Sequence, residues 1–172
     1  METTFLYPRI IQGGMGMFVS DPRLARAVAM CGQQGTLSGV GLEKALVRML
    51  QLGDLDGSIR RALSHFPFQN IVKNILERYF VEGGIKDGTR PKNAPVFTVN
   101  PSSILISLNV CANFAFVWLA KEGHSGRISI NYLEKIAMPH IYAITGAMLA
   151  GVNCITMGAG IPYQIPGVIT AT

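Results

Sequence analysis

Two glycine-rich segments follow predicted strands directly and could present bare backbone to a ligand. Gly13, Gly14 and Gly16 surround Met15 after residues 9–12, and the segment 158–160, Gly-Ala-Gly, follows residues 152–157. Each glycine adds to the entropy cost of folding, so clusters of them need a reason. Main chain without side chains can lie against a flat ligand and offer it amide hydrogens. The alternative is that these glycines only form tight strand-to-helix connections, and the presence of two such clusters favours the ligand.

Other arrangements that could carry chemistry are absent or weak in the sequence. Cys31, Cys111 and Cys154 lie far apart with no CxxC pair, which is typical of small buried residues and predicts no metal site. His124 lies between Gly123 and Gly126, but it follows a predicted helix at the amino end of a strand, which favours a helix-end or solvent-exposed role. The sequence identifies no catalytic residue.

The spacing of apolar residues predicts an α/β chain of about four parallel strands. The predicted strands are residues 9–12, 36–38, 128–132 and 152–157, and the predicted helices include 42–50, 58–64, 68–79, 101–122 and 141–150. Residues 43–100 are too long for an ordinary connection between a strand and a helix, so they are interpreted as a helical insertion after the second strand. In such folds ligands bind at the carboxyl ends of the strands, where both glycine clusters fall.

Composition narrows the class of protein. The chain has 172 residues, of which 49% are hydrophobic and 15% charged, enough for one domain with a packed core. The net charge of +5 is spread along the chain without a dense basic block, which argues against a nucleic-acid partner. Apolar runs are interrupted before they reach membrane-spanning length, and the amino terminus does not look like a signal peptide. We therefore expect a cytoplasmic protein that acts on a small molecule.

Several segments together resemble the nitronate monooxygenase family, formerly called 2-nitropropane dioxygenases. The resemblance rests on IIQGGMG, LARAVAMCGQQGTLSGVGLE, INYLEKI and YAITGAMLAGVNCITMGAGIPYQIPGVI, and it extends over nearly the whole chain. The family consists of FMN-dependent (β/α)₈ barrels and also includes flavin-dependent enoyl-acyl-carrier-protein reductases. The resemblance implies that residues 1–172 form the first half of such a barrel, with the insertion at 43–100.

The resemblance also implies where FMN would lie. Gly14, Met15 and Gly16 would lie against the isoalloxazine ring, Asn131 would face it from the end of a strand, and Gly158 would line the same cavity. An amide side chain can donate and accept, as such a ring requires. For Asn131 the alternative is a turn-forming or core amide bonded to a neighbouring strand.

The family's phosphate-binding turns and catalytic histidine belong to the second half of the barrel, which this sequence does not match. We therefore expect FMN to bind weakly or not at all if the chain ends at residue 172, and the exposed edges of a half barrel could self-associate. The implied reaction is oxidation of a small activated carbon acid, with electrons passing to flavin and then to oxygen. The alternatives are reduction of an enoyl thioester, or an inactive fragment or assembly subunit that contributes only packing.

Overall fold

A computed structural model describes residues 7–171 and has a mixed α/β fold. In that part of the chain seven helices and three strands alternate irregularly. The helices are α1 (Pro22–Met30), α2 (Leu42–Gln51), α3 (Ser58–Ser64), α4 (Gln69–Tyr79), α5 (Ser103–Lys121), α6 (His140–Leu149) and α7 (Ile165–Ala171). The strands are β1 (Gly35–Ser38), β2 (Ile128–Leu133) and β3 (Cys154–Gly158).

The three strands form one parallel sheet in the order β1-β2-β3, so strands that are consecutive in the chain are neighbours in the sheet. Side chains alternate between its two faces. Leu37, Ile130 and Ile155 pack into the hydrophobic core on one face. Ser38, Asn131 and Thr156 lie opposite each other in register on the other face. One face of the sheet is therefore apolar and covered by helices, and the other is polar.

The predicted strand at residues 9–12 is a single parallel bridge between Ile11 and Gln34 beside β1. The physical reason lies in the next residue, Gln12. Its side-chain oxygen accepts a hydrogen bond from the Thr36 amide and its side-chain nitrogen donates to the Thr36 carbonyl, both at 3.1 Å. A side-chain amide thus continues the ladder where a strand's main chain would, and the chain turns away at Gly13.

The long apolar helix α5 lies at the centre of the molecule. It packs against α1, α2, α3, α4 and α6. By length and composition it could cross a membrane, yet 61% of its most apolar window is buried inside the protein. Such burial is typical of a core helix in a soluble protein, and the position of α5 among the other helices fits that role.

The remaining predicted helices agree with the structure to within about two residues at each end. Helices α2, α3 and α4 lie in the stretch predicted to be a helical insertion, and residues 80–102 after them have no regular secondary structure. The short helix α7 was not predicted, because Pro166 and Gly167 discourage a helix. Pro166 lies in the first turn of α7, where a proline's missing N–H costs nothing.

Candidate functional site

The glycine turn, defined here as residues 13–16, is held in place by two serines. The Ser20 hydroxyl donates to the Gly13 carbonyl at 3.1 Å and accepts from the Met15 amide at 3.0 Å. The Ser20 amide donates to the Met15 carbonyl at 3.1 Å, and the Ser38 hydroxyl donates to the Gly16 carbonyl. The turn is therefore fixed at the carboxyl end of β1.

Gly14 is the buried member of this turn and lies directly on the polar face of the sheet. A Cβ atom at this position would be 2.6 Å from the Leu37 carbonyl oxygen and 2.8 Å from side-chain carbons of Thr36 and Asn131. These contacts exclude any side chain whether or not a ligand is present. The requirement for glycine at residue 14 thus has a packing reason that is sufficient by itself.

Asn131 uses both ends of its side-chain amide within the protein. Its Nδ2 donates to the Gly14 carbonyl at 2.8 Å, and its Oδ1 accepts from the Thr156 hydroxyl at 3.1 Å. The side chain is half-buried. This geometry matches the interpretation of Asn131 as a core amide bonded to neighbouring segments, and it joins the glycine turn to β3.

The turn after β3 lies next to the same asparagine. A Cβ atom on Gly158 would be 3.8 Å from Asn131 Nδ2, an ordinary contact. Ala159 has a φ of +64°, a left-handed conformation that L residues seldom adopt. Gly160 packs against the Glu134 carboxylate so closely that a side chain there would collide with it. The structure thus brings Gly14, Asn131 and Gly158 together at one end of the sheet.

The outer side of the glycine turn is open to solvent. Met15 is 68% exposed, and Gly13 and Gly16 are exposed as well. Within residues 7–171, the amides of Gly14 and Gly16 donate to no acceptor. A backbone N–H without a partner is costly when buried and available to a ligand when accessible. Gly14 is buried and Gly16 is exposed, so the turn offers the Gly16 amide as an accessible hydrogen-bond donor beside an apolar methionine.

This surface is open to solvent. A cavity of about 260 Å³ beside the ends of β1 and β2 is lined by Met17, Gly39 and Leu133 among others, and by none of the five predicted residues. A larger cavity of about 490 Å³ lies beyond Phe18, between α1, α3 and α5. The candidate site is thus one wall, formed by the turn and the rim of the sheet.

Two buried hydroxyls on the polar face lack partners. Thr36 and Ser129 are opposite each other in register, and neither hydroxyl oxygen has a hydrogen-bond partner in the part of the chain that is described. Sequence reasoning missed this polar face and the roles of Ser20, Ser38 and Thr156. The alternation of polar and apolar residues in Thr36-Leu37-Ser38 and in Ile128–Leu133 carried the signal for the face.

His65 and His124 lie away from the glycine turn and the polar face of the sheet. Nε2 of His124 lies 2.7 Å from the Ala120 carbonyl and its Nδ1 accepts from the Gly126 amide, so it closes the end of α5, as predicted. His65 stacks on Trp118 with ring centroids 4.5 Å apart. No group of three or more potential metal ligands occurs among the described residues.

Comparisons of the chain with protein-family models, with curated proteins and with solved structures find no match.

Proposed function

We propose that this chain is the amino-terminal part of a flavin-dependent (β/α)₈ barrel and that it supplies the ring side of an FMN site. The observation that carries the proposal is the fixed glycine turn, whose exposed Gly16 amide has no acceptor within residues 7–171 and lies at the carboxyl ends of parallel strands. That end of a parallel sheet is the usual position of ligands in α/β folds.

The order of the strands supports a barrel over an open sheet. The bridge at Ile11, β1, β2 and β3 follow one another in space in the order of the chain, and all neighbours are parallel. A doubly wound sheet reverses its strand order partway, whereas a barrel does not. In this proposal residues 43–100 are an insertion between the second and third barrel strands.

The residues present fit the ring of FMN. The edge of an isoalloxazine ring carries acceptors that the exposed Gly16 amide can satisfy, and the Met15 side chain can cover part of its apolar surface. Asn131 acts on the ring through the turn, because its amide already holds the Gly14 carbonyl. Gly158 leaves room beside Asn131.

The proposed activity is that of the family the sequence resembles: oxidation of a small activated carbon acid, such as a nitronate, in the cytoplasm. Bound FMN would supply the electron acceptor for this reaction and pass electrons to oxygen. The residues of this chain would bind and orient the ring, and the glycines of the turn leave the position of the ring free of side chains. None of them is assigned as the base.

A flavin titration of the full chain tests the proposal. Because this chain supplies only the ring side of the site, we expect FMN and riboflavin to bind weakly and with similar affinity, each with quenching of its fluorescence. Met15→Glu should weaken this binding about tenfold or more, because a carboxylate would be desolvated against the ring. Val99→Glu, at an 88% exposed position, is the matched control and should bind flavin like the unchanged chain.

Activity and binding measurements distinguish the monooxygenase from the enoyl reductase and from an inactive fragment. Oxygen uptake with an alkyl nitronate supports the monooxygenase, whereas consumption of a reduced nicotinamide with an enoyl thioester supports the reductase. A chain that binds neither flavin contradicts the proposal and supports a role in packing or assembly only.

A further inference from the structure

A second site lies on the helix side of the sheet, in the cavity of about 260 Å³ beside the ends of β1 and β2. Its wall is formed by the loop after β1, the first turn of α2, residues 95–97 and 136–140, and parts of α5 and α6. It shares no residue with the five predicted for the flavin. It is small compared with typical ligand pockets, so it suits a small ligand.

Four polar side chains in this wall are more than nine-tenths buried: Glu43, Asn109, Tyr132 and His140. Asn109 donates to Glu43 Oε2 at 3.2 Å. Asn113, behind the wall, donates to the Asn109 carbonyl at 2.9 Å and accepts from the Tyr132 hydroxyl at 2.8 Å. A hydrogen-bonded chain therefore runs from α2 through α5 to β2, and it fixes the positions of these groups.

His140 contributes an acceptor that nothing in the described chain uses. Its Nε2 lies 3.0 Å from the Leu133 carbonyl, which can only accept, so Nε2 carries the proton of the neutral ring. Nδ1 is then a lone-pair acceptor, and it is buried without a partner. An orphaned buried acceptor of this kind is uncommon and calls for a donor.

Glu43 contributes a carboxylate without a counter-charge. Within residues 7–171 no cationic group lies within ion-pair distance of it, and its identified partner is the neutral Asn109 amide. The first turn of α2 offers it a favourable dipole, but a buried carboxylate is stabilised more strongly by a cation. The rest of the wall includes the apolar residues Val40, Val96 and Ile136.

We propose that this cavity binds a small primary ammonium compound with an apolar body, whose charge is held by the Glu43 carboxylate. The ammonium supplies the charge that Glu43 lacks, and the unpaired lone pair of His140 Nδ1 in the same wall adds to the negative potential there. The apolar wall takes the hydrocarbon. This site is independent of the proposed flavin site.

The test compares phenethylamine with 2-phenylethanol, which has the same body and no charge, by calorimetric titration of the full chain. The amine should bind about tenfold more tightly or better, because a charge-assisted hydrogen bond is stronger than a neutral one. Equal affinity for the two compounds, or no saturable binding of the amine, overturns the proposal.

Three variants test whether the charge of Glu43 determines the affinity for the amine. Glu43→Gln keeps an acceptor for Asn109 but removes the charge, so it should weaken amine binding about tenfold and leave alcohol binding unchanged. Glu77→Gln, on the exposed side of α4, is its matched control and should change neither. Lys44→Gln removes an exposed like charge at the cavity margin and should strengthen amine binding about two- to threefold, a result that does not depend on the stability of the Glu43 variant. Amine affinity unchanged in Lys44→Gln as well as in Glu43→Gln overturns the proposal.

Discussion

At the scale of single residues, the glycine turn is organised by side chains far away in the sequence. Asn131 is 117 residues from Gly14, yet its amide is the donor that fixes the Gly14 carbonyl. The sequence alone places both residues at the ends of strands, because glycines and an asparagine follow apolar runs. It could not pair them, since the pairing depends on the register of β1 against β2. The serine contacts could not be read from the sequence either: Ser20 and Asp21 are both typical helix-capping residues, and the structure uses Asp21 to cap α1 and Ser20 to hold the turn.

Asn131→Ala should destabilise the protein by about 1–2 kcal/mol, because it leaves the Gly14 carbonyl and the Thr156 hydroxyl without their partner. Urea unfolding followed by circular dichroism measures this change. Asn93→Ala, at an exposed position in the irregular segment, should stay within about 0.5 kcal/mol of the unchanged chain. Equal stability of the two variants would mean that Asn131 does not hold the turn.

His140 makes stability depend on pH. Burial lowers the pKa of His140 below its ordinary value of 6.5, and the Leu133 carbonyl and the Glu134 carboxylate oppose this shift only in part. The unfolded chain therefore takes up the proton first as the pH falls below about 6.5, so the free energy of unfolding decreases until the folded pKa is reached.

Between about pH 7 and pH 5, the unchanged chain should lose more stability than His140→Gln, which cannot titrate at this position. Urea midpoints measured across this range give the comparison. His65 and His124 are present in both proteins, so their contributions cancel. Parallel pH profiles would contradict the assignment of a neutral, buried His140.

At the scale of elements, the helices were predicted well and the edge of the sheet was not. Helical spacing and breakers such as Gly32 and Gly123 set the ends of α1 and α5, because these signals are local. Whether residues 9–12 form a strand depends on whether their main chain or a side chain bonds to β1. In the structure the Gln12 side chain makes these hydrogen bonds, with Thr36. Hydrophobic periodicity carries no information about that choice.

Helix α3 depends on a carboxylate that lies before its first turn. The buried Asp54 side chain accepts from the amides of Ile59 and Arg60 at 3.0 and 2.9 Å and pairs with the Arg60 guanidinium at 3.1 Å. Asp54→Ala should therefore cost about 3 kcal/mol of stability, because it leaves these amides and the arginine without an acceptor.

Denaturant unfolding measures the effect of Asp54→Ala. Asp87→Ala, in the exposed part of the irregular segment, serves as the control and should be nearly neutral. A loss below about 1 kcal/mol for Asp54→Ala would show that water replaces the carboxylate at the start of α3.

At the scale of the whole molecule, sequence reasoning predicted a parallel α/β fold, and the structure confirms it with three strands and a bridge in place of four strands. Closure into a barrel remains a proposal, since it depends on strands beyond β3. The polar face of the sheet is an unusual feature for such a fold. Within residues 7–171 the buried hydroxyls of Thr36 and Ser129 have no partner, and they lie where a parallel sheet covered on both faces would normally carry apolar side chains.

The outer edge of β3 pairs with no strand in the described part of the chain, and exposed apolar residues follow it. Ile161 and Tyr163 are 64% and 84% exposed. We expect the chain to associate as its concentration rises, and Ile161→Lys with Tyr163→Lys to reduce this association, because charges oppose edge-to-edge contact. Sedimentation velocity over a concentration series measures it.

Leu55→Lys, at an 83% exposed position between α2 and α3, is the control and should leave the association unchanged. A chain that stays monomeric at all concentrations would contradict the expectation, as would equal effects of the two sets of substitutions.

Gln12 has a consequence for such association. Its side chain bonds to both the N–H and the C=O of Thr36, so a further strand cannot pair with β1 at that residue. Two copies that meet along β3 would therefore leave β1 of each copy bonded within its own chain at Thr36.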